Sequence, residues 1–153
     1  MMMDDVRAEL AGVLGISPEG VRTHMEQCSR RIHFYPAVRK LTERRHVPQA
    51  IVTINPDIFS QMVDPAYSLE SRFDVIVTLW EHRTRDKGAL CEVARRRLGG
   101  DLSPQECLLI DNTLECVRRW EARVGAAYHF RGEEALYRDF DKLLDSEGGS
   151  KFT

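Results

Sequence analysis

FDVIVTLWEHRTRDKGALCEVARRRLGGDLSPQECLLIDNTLECVRRWEARVGAAYHF, residues 73–130, alternates short apolar runs with longer stretches of helix-forming residues. Phe73–Thr78 and Cys107–Ile110 are short and bounded by polar or turn residues, which reads as buried strands. Lys87–Leu98 predicts a helix stopped by Gly99-Gly100, reached from the first strand by a polar loop that ends at Asp86. Ser103-Pro104 marks a turn or a one-turn helix start. Thr113–Arg123 predicts another helix, closed by Gly125, and Ala126–Phe130 a further strand.

Upstream, Ala50–Ile54 is a β-branched run halted by Asn55-Pro56, again the pattern of a buried strand, and a short helix through Ile58, Phe59 and Met62 follows it. Downstream, Glu133–Leu144 predicts a last helix with Leu136, Phe140 and Leu143 on one face. Strands alternating with helices imply βαβ crossovers and therefore an α/β fold with a parallel sheet covered on both faces. Ahead of this core, Asp4–Leu14 spaces Val6, Leu10, Val13 and Leu14 for one apolar face. Ser17-Pro18 opens a second helix through about Cys28. Tyr35-Pro36 starts a third, PAVRKLTERR, closed by His46 to Pro48. The division expected is a helical pair at 1–34, an α/β core at 35–145 and a flexible tail, SEGGSKFT, at 146–153.

Composition bounds the function. Twenty-two Lys and Arg against 24 Asp and Glu leave a formal charge of −2, and 42% of the 153 residues are hydrophobic, as in one globular domain. A chain of this length buries enough surface to need no disulfide or metal for its core. No run approaches the ~20 apolar residues of a membrane span. MMMDDVRAEL lacks the basic and apolar regions of a signal peptide, so the location expected is the cytoplasm. Cys28, Cys91, Cys107 and Cys116 form no C-x-x-C pair and the histidines no H-x-x-x-H, which argues for reduced thiols and against structural zinc. The basic doublets Arg30-Arg31, Arg44-Arg45 and Arg118-Arg119 lie near acids, and Arg95–Arg97 sits on a helix. That is a solvated face rather than a nucleic-acid groove. Only four of the 22 basic residues are Lys, so Lys87 departs from the chain's habit.

In open parallel sheets, ligands bind beyond the carboxyl ends of the strands. The residues there are Thr53 and Asn55, then Glu81, then Asp111, Asn112, Thr113 and Glu115, with Lys87 opening the helix near the same edge. A hydroxyl, an ammonium and a carboxylate on one rim suit an oxyanion such as phosphate together with a divalent cation. Each also has an ordinary role: Thr53 as a β-branched strand residue, Lys87 as solvated surface, and Asp111-Asn112-Thr113 as a cap for the following helix. Asp111 directly after CLLI is the hardest to treat as ordinary, because a buried carboxylate needs a partner.

Taken in this order, residues 35–144 resemble the haloacid dehalogenase superfamily, whose phosphatase members run strand, loop, Lys-Pro, helix, strand, Asp-Asp-x-x-Glu-Asn, helix, Gly, strand. The resemblance implies a Rossmann-like, three-layer, doubly wound parallel sheet of strand order 5-4-1-2-3, with residues 1–34 as the remnant of a helical cap. It implies that Thr53 hydrogen-bonds the phosphoryl group, with Asn55 a further phosphate contact, and that Lys87 steadies phosphate and nucleophile. Asp111, with Asn112 beside it, is the implied magnesium site. Gly88 stands where the family has proline, Cys116 where Asn is common, and Ile54 separates Thr53 from Asn55. Asn112 replaces an acid and weakens the expected magnesium binding.

The family's first motif, an apolar strand ending in Asp-x-Asp that carries the nucleophile, has no counterpart here: Asp4-Asp5 follows three methionines and enters a helix. The sequence reads as if it begins downstream of that strand. Strands 50–54 and 107–110 would then each show an unpaired edge, unless they close on each other or another chain supplies a strand. The functional expectation is a phosphate-monoester hydrolase of the magnesium-using branch, rather than a dehalogenase, acting through an aspartyl-phosphate but inactive as this chain. The alternative is a degenerate binding or interaction protein. A two-component receiver ranks below both because it needs its acids first and its lysine last. A small phosphate ester is the expected ligand, with no nucleic acid and no membrane, and exposed edges favour self-association. Arg22, His24, Arg30 and His33 of the cap remnant could meet a substrate but are equally plain surface.

Overall fold

The computed structural model describes residues 3–43, 47–55 and 57–145. The tail at 146–153, the last two residues expected for the third helix, 44–45, and the first of its expected closure, 46, lie outside the described residues, as do the side chains of Phe140 and Leu143. Helices α1 (Met3–Leu14) and α2 (Pro18–Ser29) pack against each other as a helical hairpin, with Ser17 capping α2 by accepting a hydrogen bond from Gly20 N–H at 3.1 Å. Helix α3 (Pro36–Thr42) leads to strand β1 (Ala50–Thr53). A turn of π-helix, Phe59–Val63, runs into α4 (Asp64–Tyr67) and buries Phe59 and Met62. The Tyr67 hydroxyl donates to the Ser29 carbonyl at 2.8 Å and also meets that of Ile32, tying the helical hairpin to the core.

Strand β2 (Val75–Thr78) is shorter than the apolar run suggests. Asp74 stays outside the ladder because its N–H donates to Gln49 C=O at 2.9 Å while its carboxylate accepts from Gln49 N–H at 2.8 Å, which sets the start of both strands. The loop expected after β2 is instead a one-turn helix, α5 (Leu79–His82), because Thr78 caps it, accepting from Glu81 N–H at 3.2 Å. Helix α6 (Lys87–Leu98) is capped by Asp86 and ends at Gly99, as its sequence predicts. Strand β3 (Leu108–Asp111), helix α7 (Leu114–Glu121), strand β4 (Ala126–His129) and helix α8 (Glu133–Asp145) complete the chain.

The fold is mixed α/β with parallel strands, and those strands form two pairs rather than one continuous sheet. β1 pairs with β2, Ala50 opposite Val75 and Thr53 opposite Thr78; β3 pairs with β4, Leu108 opposite Ala126 and Asp111 opposite His129. β1 and β3 do not pair with each other. Helix α6 covers the first pair: Val77 and Leu90 are fully buried, packed with Ala94, Val52, Val75 and Val93. Each such aliphatic side chain contributes about 1.5–3 kcal/mol on burial. The second pair is covered by α3 and α8 through Ala37, Leu136, Tyr128 and Phe130, and Glu133 accepts the Ala37 N–H at 2.9 Å. Helix α7 lays Trp120 against Gly125; since Gly125 and Tyr128 differ by an odd number of positions, Trp120 sits on the other face of β4.

Closure of α7 corrects the expectation for Gly125. Val124 N–H donates to Glu121 C=O and Gly125 N–H to Trp120 C=O, so the left-handed position belongs to Val124, with φ of 64°. A β-branched residue is poorly suited to that conformation. Glycine comes one residue later because a Cβ there would lie 2.1 Å from the Trp120 indole. Val124→Gly is therefore expected to raise the unfolding free energy by about 0.5–1 kcal/mol, net of the entropy glycine adds to the unfolded chain. Urea titration checks this; unchanged or lower stability would place the strain elsewhere.

Candidate functional site

Lys87 is the first residue of α6, and its side chain runs back across the carboxyl end of β1. Its ammonium donates to the Val52 carbonyl and lies 3.1 Å from Asp111 Oδ2 at the end of β3, with the two side chains only 10% and 9% exposed. The pair is thus a desolvated ion pair with an additional hydrogen bond to the ammonium, a geometry in which removal of one partner is costly. Asp111 belongs to the strand rather than to the loop after it. Its second oxygen, Oδ1, accepts from Thr113 N–H at 2.8 Å, so the carboxylate turns the chain into α7 as well as pairing with the lysine.

Thr53 is buried at the end of β1, next to Val52, and its hydroxyl oxygen accepts from Asn55 N–H at 3.1 Å. That bond leaves the Thr53 O–H free to donate. The structure therefore brings Thr53, Lys87 and Asp111 to one rim. Asn55 and Asn112 are exposed, and the Asn112 carbonyl oxygen lies 3.2 Å from His129 Nε2. Glu81 is drawn away by Arg97 at 2.7 Å, whose hydrogen bond holds its carboxyl below the usual range. Gly88 follows the lysine because a Cβ there would lie 3.2 Å from Arg119 C=O and 2.8 Å from Arg123 Nε, where α6 crosses α7.

The residues that sequence reading missed are the Val52 backbone carbonyl and the thiols around the lysine. No side-chain pattern marks a carbonyl. Cys91, one turn along α6 from Lys87, is buried, and that burial pushes its thiol up to about 12, with the nearby ammonium opposing the shift. Burial likewise raises the thiols of Cys116 and Cys107, while Cys28 is exposed. At pH 8 a thiolate-selective disulfide reagent is expected to modify one cysteine of the folded protein quickly, Cys28, and the rest only on unfolding. Fast modification of Cys91 would overturn that reading of its surroundings.

The rim as built does not suit a magnesium ion. Among the described residues no group of three or more potential ligands stands close enough to hold a metal ion, and the Asp111 carboxylate has one oxygen neutralised by Lys87 and the other held by backbone, with Asn112 beside it a neutral amide. Most arginines of α6 and α7 are engaged with acids: Arg95 and Arg96 with Glu92, Arg97 with Glu81, Arg119 with Glu115, and Arg123 of the following turn with Asp86. No described helix is long and apolar enough to cross a membrane. No protein-family model matches the chain, and no curated protein matches it.

Proposed function

We propose that the chain is a haloacid dehalogenase-like unit of the phosphate-monoester phosphatase branch, one that recognises a phosphoryl group at the Lys87 rim and does not itself turn substrate over. The reading is carried by one observation: Lys87, at the start of the helix after β2, meets Asp111 at the end of β3 at 3.1 Å, beside Thr53 at the end of β1. Lysine, acid and hydroxyl come from three separate elements in the order the resemblance requires. An arriving phosphate would draw the Lys87 ammonium into its own coordination and take a hydrogen bond from the Thr53 hydroxyl, with the exposed Asn55 amide beside it. Covalent phosphoryl transfer also needs a nucleophile, and no described strand ends in Asp-x-Asp. Magnesium binding is proposed to be weak or absent, since the donor set offers one neutralised acid.

Titration with inorganic phosphate followed calorimetrically tests recognition. Saturable binding that Lys87→Met and Thr53→Val each weaken at least tenfold supports it; no binding by the folded chain overturns it. Magnesium-dependent hydrolysis of p-nitrophenyl phosphate that Asp111→Ala abolishes would overturn the proposed lack of turnover.

A second reading, a binding protein that has left catalysis behind, is favoured by the engagement of both Asp111 oxygens, which makes the Lys87–Asp111 pair a structural clasp. It predicts no phosphate binding and an intact fold.

A further inference from the structure

From β2 the chain reaches Lys87 through α5 and the loop Arg83-Thr84-Arg85-Asp86. Both arginines of that loop are exposed. The acids beside them in sequence are already taken, Glu81 by Arg97 at 2.7 Å and Asp86 by Arg123 at 3.0 Å. Among the described residues, Arg83 and Arg85 therefore have no ion pair and no side-chain hydrogen bond, unlike Arg97 and Arg123. The loop backbone is held in place: Arg83 N–H donates to Leu79 C=O at 2.6 Å, and Asp86 N–H to Thr84 Oγ1 at 3.2 Å. Arg83 ends α5 with φ of 51°, a conformation that glycine adopts freely and arginine does not, so backbone preference is no reason for an arginine there. Two residues of extended chain span at most about 7 Å, so Arg85 stands within about 7 Å of Lys87 along the backbone, a gap of the order that an arginine side chain covers.

We infer that the phosphoryl group bound at the Lys87 rim belongs to an ester carrying a second anionic group, a carboxylate or another phosphate, and that Arg83 and Arg85 bind this second group. The inference rests on the proposed recognition of phosphate at that rim. Charge selects this ligand class: Asp111 offsets Lys87 and Arg123 offsets Asp86, which leaves Arg83 and Arg85 as two positive charges without a counter-charge beside the rim. A guanidinium pairs with a carboxylate or a phosphate through two parallel hydrogen bonds, so either anion meets the same donors. An uncharged leaving group would leave both arginines unmatched, and a cationic one would be repelled by them. The short link from Arg85 to Lys87 sets the size: a three-carbon skeleton separates the two anionic groups by a comparable distance.

The test is calorimetric titration of the full chain at about 0.15 M salt, where charges more than about 8 Å apart are largely screened. The probes are inorganic phosphate, glycerol 3-phosphate, and two esters of the same skeleton that add an anion, 3-phosphoglycerate and glycerol 1,3-bisphosphate. At least one of the last two is expected to bind about tenfold or more tightly than glycerol 3-phosphate, and the tighter of them tells carboxylate from phosphate. Arg85→Gln, an exchange at an exposed position, is expected to lower that preference about threefold or more. Combined with Arg83→Gly, which suits the backbone at φ of 51°, it is expected to bring the preference within about twofold of none. Arg138→Gln removes an exposed arginine from α8 and is expected to leave the preference in place. Equal affinity for all three esters, in a chain that binds inorganic phosphate, overturns this inference alone. A preference that survives the double variant, or that falls as far with Arg138→Gln, also overturns it. Failure to bind phosphate or any ester overturns the recognition of phosphate at the rim, and this inference with it.

Discussion

Lys87→Met is expected to lower the unfolding free energy by about 3–5 kcal/mol, the range found when one member of a buried ion pair is removed. The variant leaves the Asp111 carboxylate, 9% exposed, without its ammonium, and strips the donor from the Val52 carbonyl. Methionine has nearly the same length, so lost packing contributes little and the effect reports the charge. Asp111→Asn in the same chain removes the stranded charge while its remaining oxygen can keep the Thr113 cap. The double variant is therefore expected to regain most of the loss, and a double-mutant cycle in urea gives the coupling directly. A loss under about 1 kcal/mol for Lys87→Met would mean that the pair is solvated and the clasp between the two strand pairs is weak.

Gly125→Ala is expected to cost about 3 kcal/mol, the upper end of overpacking penalties, because the added carbon would start 2.1 Å from the Trp120 indole. Trp120 is 1% exposed and wedged between α7 and β4, and its indole N–H donates to Cys107 C=O at 3.4 Å, so it has little room to retreat. Displacing it would shift tryptophan emission to longer wavelength against the constant contribution of Trp80, already 36% exposed. The contrast with Val124→Gly is the diagnostic: adjacent residues in one turn, one expected to gain stability from losing a side chain and the other to lose it from gaining one. Equal tolerance at both positions would contradict the assignment of the left-handed residue.

Much of this was legible because it depends on neighbours in sequence. The apolar runs at β1, β2, β3 and β4, the proline-opened helices α2 and α3, and the glycine stop of α6 follow from local patterning and backbone preference. The pairing of Lys87 with Asp111 was legible only as a convergence on one rim, argued from strand ends. Three features were not legible. Val52 contributes a carbonyl, which every residue has. The polar stretch after β2 became α5 because the Thr78 cap outweighed weak helix propensity. Gly125 looked like a helix stop, and its actual reason is an aromatic ring five residues earlier on a packed face.

By itself, the amino-acid sequence determined the order of elements, their parallel α/β character, and which residues stand at the strand ends, since each depends on periodicity and on the backbone limits of proline and glycine. Only the tertiary structure decided that the four strands part into two pairs, and that Lys87 closes the seam between them. Strand pairing and the burial of charge are settled between residues far apart in the chain, by which backbone groups find partners and which charges lose their water.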